Sequence, residues 1–96
     1  MVQREEILEF LRYHKADLNL RFSVKRIGVF GSVVRGSASS QSDVDVLVEL
    51  DEPTFDHYMD LKFFLEEHLE RPVDLVMADS LKPRIKPSIT REVAYA

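Results

Sequence analysis

The chain has 96 residues, of which 45% are hydrophobic and 31% are charged, and it contains no cysteine. This balance predicts one folded domain over residues 1–96 in the cytoplasm, and it excludes disulfides and thiol catalysis. A formal net charge of −4 argues against an extended nucleic-acid backbone as the main ligand, and no apolar run approaches the ~20 residues of a membrane span.

The first part of the chain predicts a helix, a strand and a turn. Apolar residues at helical spacing across residues 3–17 predict a single amphipathic helix. Residues 24–30, VKRIGVF, are rich in β-branched and aromatic side chains and predict a strand that stops at Gly31. Ser32 is suited to cap a single helical turn that ends at Gly36.

The rest of the chain predicts two further strands and two further helices. The alternating sequence DVDVLVEL at residues 43–50 predicts a strand with its valines on one face. Apolar residues three or four apart in 53–70 predict a helix that begins at Pro53. Residues 71–78, RPVDLVMA, predict a third short strand, and the tail predicts a short helix followed by an extended VAYA.

Two carboxylates open the strand predicted at residues 43–50. Side chains two apart on a strand share a face, so Asp43 and Asp45 are expected side by side. Like charges this close raise each other's pKa unless a cation neutralises them, and carboxylate oxygens suit Mg²⁺. Asp74 of the third strand is the natural third carboxylate of a two-metal site. Each of the three aspartates taken alone would be an ordinary solvated charge at a strand edge.

A phosphate cradle is predicted directly before this pair. Gly31 lets the backbone approach a phosphate oxygen, and Ser32 supplies a hydroxyl donor. Arg35 can add a charge-assisted contact, although a surface arginine needs no ligand. The stretch GSVVRGSAS also fits the glycine spacing of a Walker loop, but Ser37 stands where the phosphate-binding lysine belongs. A P-loop NTPase is therefore disfavoured.

These residues together carry a family resemblance. Gly31-Ser32, ten residues and then Asp43-Val44-Asp45 resemble the G-S-x(10)-D-x-D signature of the DNA polymerase β-like nucleotidyltransferases. The short chain and the later VDLV resemble, more narrowly, the minimal nucleotidyltransferase (MNT) domain, whose members are commonly antitoxin partners of HEPN ribonucleases in prokaryotes. The resemblance implies an α/β (α+β) fold of the polymerase β palm type, with a small mixed sheet and helices packed on one side.

The resemblance also implies a role for each site residue. Asp43 and Asp45 would bind two Mg²⁺ ions, and Asp74 would bind one of them while accepting the proton of the attacking hydroxyl. Gly31 and Ser32 would hold the β- and γ-phosphates of the nucleotide. The implied reaction transfers AMP from ATP to a tyrosine hydroxyl of a HEPN-family toxin and silences that partner.

The chain departs from the family pattern in its loop, and two other functions compete with the implied one. Many relatives carry a second basic residue in the loop, where this chain has Ala38-Ser39, so phosphate binding would rest more heavily on Arg35. A non-catalytic antitoxin that neutralises its partner by occlusion is the alternative from another functional class. Transfer to a small molecule is disfavoured, because so short a chain has little room for an acceptor domain.

Overall fold

The computed structural model describes residues 4–36 and 43–96. In chain order the elements are α1 (Arg4–Tyr13), α2 (Lys15–Phe22), β1 (Val24–Phe30), α3 (Ser32–Arg35), β2 (Val44–Leu50), α4 (Phe55–Leu69), β3 (Val73–Met77), a 3₁₀ turn (Ala78–Ser80), α5 (Lys86–Glu92) and β4 (Ala94–Tyr95). The strands form one sheet in the order β3-β2-β1-β4. β2 and β3 are parallel and the other pairs are antiparallel, which confirms the predicted mixed sheet.

The core lies between one face of the sheet and the helices α1, α2 and α4. Alternation along β2 turns four side chains into this core, as predicted: Val44, Val46, Val48 and Leu50. The helices contribute buried residues that include Ile7, Leu18, Leu61 and Leu65. Asp45 and Glu49 have the opposite parity on β2 and face away from the core. None of the helices in the described ranges is long and apolar enough to cross a membrane.

The single helix predicted over residues 3–17 is wrong, because the chain forms two helices that meet at His14. His14 has φ −95° and ψ 9°, outside the helical region, although its N–H still donates to Phe10 O at 3.1 Å. Leu18 and Phe22 of α2 lie in the core together with the buried residues of α1. Helical periodicity continues across the break, so the apolar pattern alone could not reveal it.

Two predicted helix starts differ from the observed ones. α4 begins at Phe55 rather than Pro53, because Thr54 is its N-cap and accepts from the His57 N–H at 3.1 Å. The turn α3 has Gly31 as its N-cap, and Ser32 is its first residue rather than its cap. The predicted end of that turn at Gly36 is confirmed.

The extended tail is confirmed as β4, which pairs with β1 at Gly28 and Val29. Gly28 is needed for this pairing, because a Cβ atom there would lie 2.6 Å from Ala94 O and 2.9 Å from a methyl carbon of Val93. The close approach fixes the end of α5 to the centre of the sheet.

β3 is an edge strand, and three of its outward backbone groups are bonded to side chains. Pro72 O accepts from Val44 N on β2, so the backbone groups of residues 73, 75 and 77 point to the open edge. Glu66 accepts from Val73 N at 3.0 Å, Tyr58 donates to Leu75 O at 2.6 Å, and the Ser80 hydroxyl donates to Met77 O at 2.8 Å. These contacts reduce the capacity of the edge to pair with another strand.

Tyr58→Phe should lower the free energy of unfolding by about 1 kcal/mol, because it removes the hydroxyl that bonds Leu75 O. Urea unfolding measures the change. Tyr13→Phe is the matched control, since the Tyr13 ring is 85% exposed and its hydroxyl bonds none of the described residues. Equal stability of the two variants would mean that the Tyr58 hydroxyl does not stabilise this edge.

Candidate functional site

The candidate site lies where β1 passes into α3, beside the first residues of β2 and β3. Asp45 sits between two strands: it pairs with Phe30 on the antiparallel side and with Asp74 on the parallel side. The register therefore brings Asp45 and Asp74 directly opposite each other, as expected for residues of one site. Asp43 comes immediately before β2 and is exposed.

Gly31 packs directly against the carboxylate of Asp45. Its φ of 74° and ψ of −146° are open almost only to glycine, and a Cβ atom at this position would overlap Asp45 Oδ2. Gly36 ends the same turn with φ 77° and ψ 14°, and its surroundings are open. The two glycines allow residues 31–36 to turn tightly across the carboxylate. Ser32 follows Gly31 and is half-buried.

The environment of Asp45 raises its pKa. Burial is the largest cause, followed by the negative charges of Asp74 and Asp43, whereas Arg35 lowers the pKa and Glu92 raises it further. This part of the molecule thus contains four carboxylates and one guanidinium, that of Arg35, so negative charge is in excess. Such an excess fits the binding of a divalent cation by carboxylate oxygens.

The carboxylates of Asp43, Asp45 and Asp74 are near one another but do not converge on one point. In residues 4–36 and 43–96, no group of three or more histidine, aspartate or glutamate side chains converges closely enough to hold a metal ion. Asp43 and Asp74 are exposed and Asp45 is half-buried, so the two outer side chains have room to change rotamer. The three aspartates lie on, or directly before, two neighbouring strands, and their carboxylates offer the hard oxygen atoms that divalent cations prefer.

Arg35 lies beside this cluster and forms an ion pair that the sequence did not reveal. Its Nη1 atom is 2.6 Å from Oε1 of Glu92, the last residue of α5. Nothing in the motif points to Glu92, which is 57 positions further along the chain. Ala38 and Ser39, where relatives carry a basic residue, and Ser37 lie outside the described residues.

Gly31→Ala should remove activity and lower stability, because it adds both an unfavourable φ and an overlap with the Asp45 carboxylate. Gly36→Ala is the control: it also places a side chain at positive φ, which costs about 1–2 kcal/mol, but its Cβ would enter open space. Thermal unfolding and a turnover assay on both variants check this. Equal losses would mean that the contact with Asp45 has no special role.

Asp45→Asn should raise the unfolding temperature of the metal-free protein at neutral pH. The folded-state pKa of Asp45 is above the ordinary value, so ionisation of this group destabilises the fold above that pKa. Below the ordinary aspartate pKa of about 3.9 the carboxyl is protonated in both states, and the advantage of Asn should vanish. Asp60→Asn, at an exposed position on α4, is the control. A lower unfolding temperature for Asp45→Asn at neutral pH would make Asp45 a structural residue.

Comparison with known proteins finds similarity over nearly the whole chain. A family model described as nucleotidyltransferase domain matches residues 7–96. The protein adenylyltransferase MntA of Thermococcus cleftensis is 48% identical over 96 residues, which cover 99% of this chain and 97% of that protein.

Solved structures agree with this comparison. A candidate minimal nucleotidyltransferase is 37% identical, with a TM-score of 0.73 over 91% of this chain and 93% of its own. A chain from a complex of a tri-AMPylated Shewanella oneidensis HEPN toxin with its MNT antitoxin is 18% identical and has a TM-score of 0.63, over 92% of this chain and 70% of its own. The second similarity is one of fold alone.

Proposed function

The chain belongs to the nucleotidyltransferase domain family, and on that premise we propose that it is a Mg²⁺-dependent protein adenylyltransferase that acts as an antitoxin. It transfers AMP from ATP to a hydroxyl, and the acceptor is a tyrosine of a HEPN-family toxin. The Thermococcus relative bears the name protein adenylyltransferase at 48% identity over the whole chain. The Shewanella complex, which pairs an AMPylated HEPN toxin with an MNT antitoxin, suggests the partner class.

The observation that carries this proposal is the register of β2 and β3 beside Gly31. Asp45 and Asp74 are opposite each other on adjacent strands, and the backbone of Gly31 packs on Asp45. A nucleotide phosphate held at the turn 31–36 would therefore lie next to both carboxylates. An isolated solvated aspartate would need neither the glycine nor the opposed carboxylate.

Asp43, Asp45 and Asp74 would hold the metal. The excess negative charge around Asp45 makes this cluster a suitable site for a hard divalent cation. When bound, Mg²⁺ would neutralise charge on the triphosphate and on the departing pyrophosphate. Asp43 and Asp45 belong to one stretch of chain and Asp74 to the neighbouring strand, so metal binding would also tie β2 to β3.

The turn 31–36 would hold the triphosphate. Gly31 allows the tight turn that places Ser32 beside Asp45, and the Ser32 hydroxyl can donate a hydrogen bond to phosphate oxygens. Arg35 has five N–H donors, of which the ion pair with Glu92 uses one nitrogen, so the rest of the guanidinium is available to phosphate oxygens.

Asp74 would take the proton in the transfer step. The acceptor hydroxyl oxygen forms a bond to the α-phosphorus of ATP, the bond from that phosphorus to the pyrophosphate oxygen breaks, and the hydroxyl proton passes to the Asp74 carboxylate. The products are the AMP ester of the acceptor and pyrophosphate. Asp74 is exposed on an edge strand, so a hydroxyl presented by another protein can reach it.

Asp74→Asn should leave binding of Mg²⁺ and a non-hydrolysable ATP analogue largely in place and lower the transfer rate roughly 10²- to 10⁴-fold, the usual range for a general base. Calorimetry measures binding, and the mass of a HEPN-family toxin incubated with this protein measures transfer. Asp79→Asn, an exposed change just beyond β3, is the control and should transfer at the wild-type rate.

Two results would contradict this scheme. Wild-type transfer by Asp74→Asn would remove this residue from the proton step. A wild-type protein that binds and silences its partner with Mg²⁺ and ATP present, yet adds no AMP, would replace the enzyme with an antitoxin that acts by occlusion.

A further inference from the structure

Arg35 is held by a carboxylate from a distant part of the chain. It is the last residue of α3, and Glu92 is the last residue of α5. Their side chains meet at 2.6 Å, with 60% of the Arg35 side chain and 26% of the Glu92 side chain exposed. The pair joins the turn 31–36 to α5, and the Glu92 side chain is less exposed to solvent than the Arg35 side chain.

Glu92 reaches this position on rigid elements. The next residue, Val93, ends α5 by donating its N–H to Ile89 O at 3.0 Å, and Ala94 then pairs with Val29 in the sheet. Gly28 allows the backbone of Ala94 to approach β1 closely. Glu92 is therefore two residues from a sheet pairing and cannot move far without breaking it.

The carboxylate that Arg35 contacts is that of Glu92. Arg35 ends the turn whose N-cap, Gly31, packs on Asp45, and its ion pair among the described residues is with Glu92. A flexible arginine beside an uncompensated carboxylate would otherwise gain energy by contacting it directly. Direct contact would occupy the oxygens of Asp45 and turn the guanidinium away from the phosphates.

We propose that Glu92 is a positioning residue that holds Arg35 beside the carboxylate cluster but off Asp45, in an orientation suited to the triphosphate. The inference rests on the proposed nucleotide binding. Glu92 restrains the long side chain before the nucleotide arrives, so less rotamer freedom is lost on binding. It also keeps the Asp45 oxygens available to Mg²⁺.

The proposal predicts a specific kinetic pattern. Glu92→Ala should raise KM for ATP by about 3- to 10-fold, with kcat within about twofold of wild type, because positioning of the phosphate is lost and the proton step is untouched. The Mg²⁺ concentration for half-maximal rate should rise as well, since Arg35 then competes for Asp45. Glu92→Gln retains an acceptor oxygen for Arg35 and should lie closer to wild type than Glu92→Ala.

A double-mutant cycle shows whether Glu92 acts through Arg35. Arg35→Ala alone should weaken nucleotide binding, and adding Glu92→Ala to it should change nothing further. The control is Glu49→Gln, which breaks the 3.3 Å ion pair between Arg26 and Glu49 near the other end of β2 and should leave KM unchanged. Thermal unfolding of every variant confirms that each is folded.

Titration of Mg²⁺ and the non-hydrolysable ATP analogue in the absence of the partner keeps this proposal separate from the proposed function. Weaker binding by Glu92→Ala in the wild-type background, and no further loss in the Arg35→Ala background, would support positioning even if no transfer occurs. Unchanged binding by Glu92→Ala, or an equal loss in both backgrounds, would overturn positioning while leaving transfer intact. A wild type that does not bind the analogue would overturn both.

Discussion

The site depends on the contact between the backbone of Gly31 and the carboxylate of Asp45. This contact exists only if β1 and β2 pair with Phe30 opposite Asp45. A shift of one residue in that register would turn Asp45 into the core and a valine out of it. The buried valines Val44 and Val46 on either side oppose such a shift. The apolar pattern that stabilises the fold therefore also sets the position of the Asp45 carboxylate.

The position of Asp45 on β2 has an electrostatic cost. Burial and neighbouring carboxylates raise the pKa of Asp45, so the metal-free fold carries negative charge that it cannot neutralise internally. Arg35 could relieve this charge by direct contact, but it pairs with Glu92. The arrangement leaves the cluster short of positive charge, which is a condition that favours the binding of a divalent cation by carboxylate oxygens.

Local patterns in the sequence predicted the strands and pointed to the residues that lie together at the candidate site, because these patterns are set over short distances. Alternation in residues 43–50 revealed both the inner valines and the outer carboxylates, and Gly31-Ser32 marked the end of β1. The break at His14 was missed because apolar spacing continues through it. Glu92 was missed for a different reason: its contact with Arg35 exists only after β4 pairs with β1, and no local pattern encodes that pairing.

The edge position of β3 leaves the Asp74 side chain exposed, while part of the edge backbone is bonded to other side chains. Asp74 is exposed at the sheet edge, whereas Asp45 on the inner strand β2 is half-buried. An exposed edge also invites another strand to pair with it. Side chains from α4 and from the 3₁₀ turn bond one outward group each on Val73, Leu75 and Met77, so the backbone of the edge is partly satisfied. An exposed Asp74 side chain and a partly bonded edge backbone can coexist on β3, because the side chains of a strand stand out of the sheet while its backbone groups lie in the hydrogen-bonding direction.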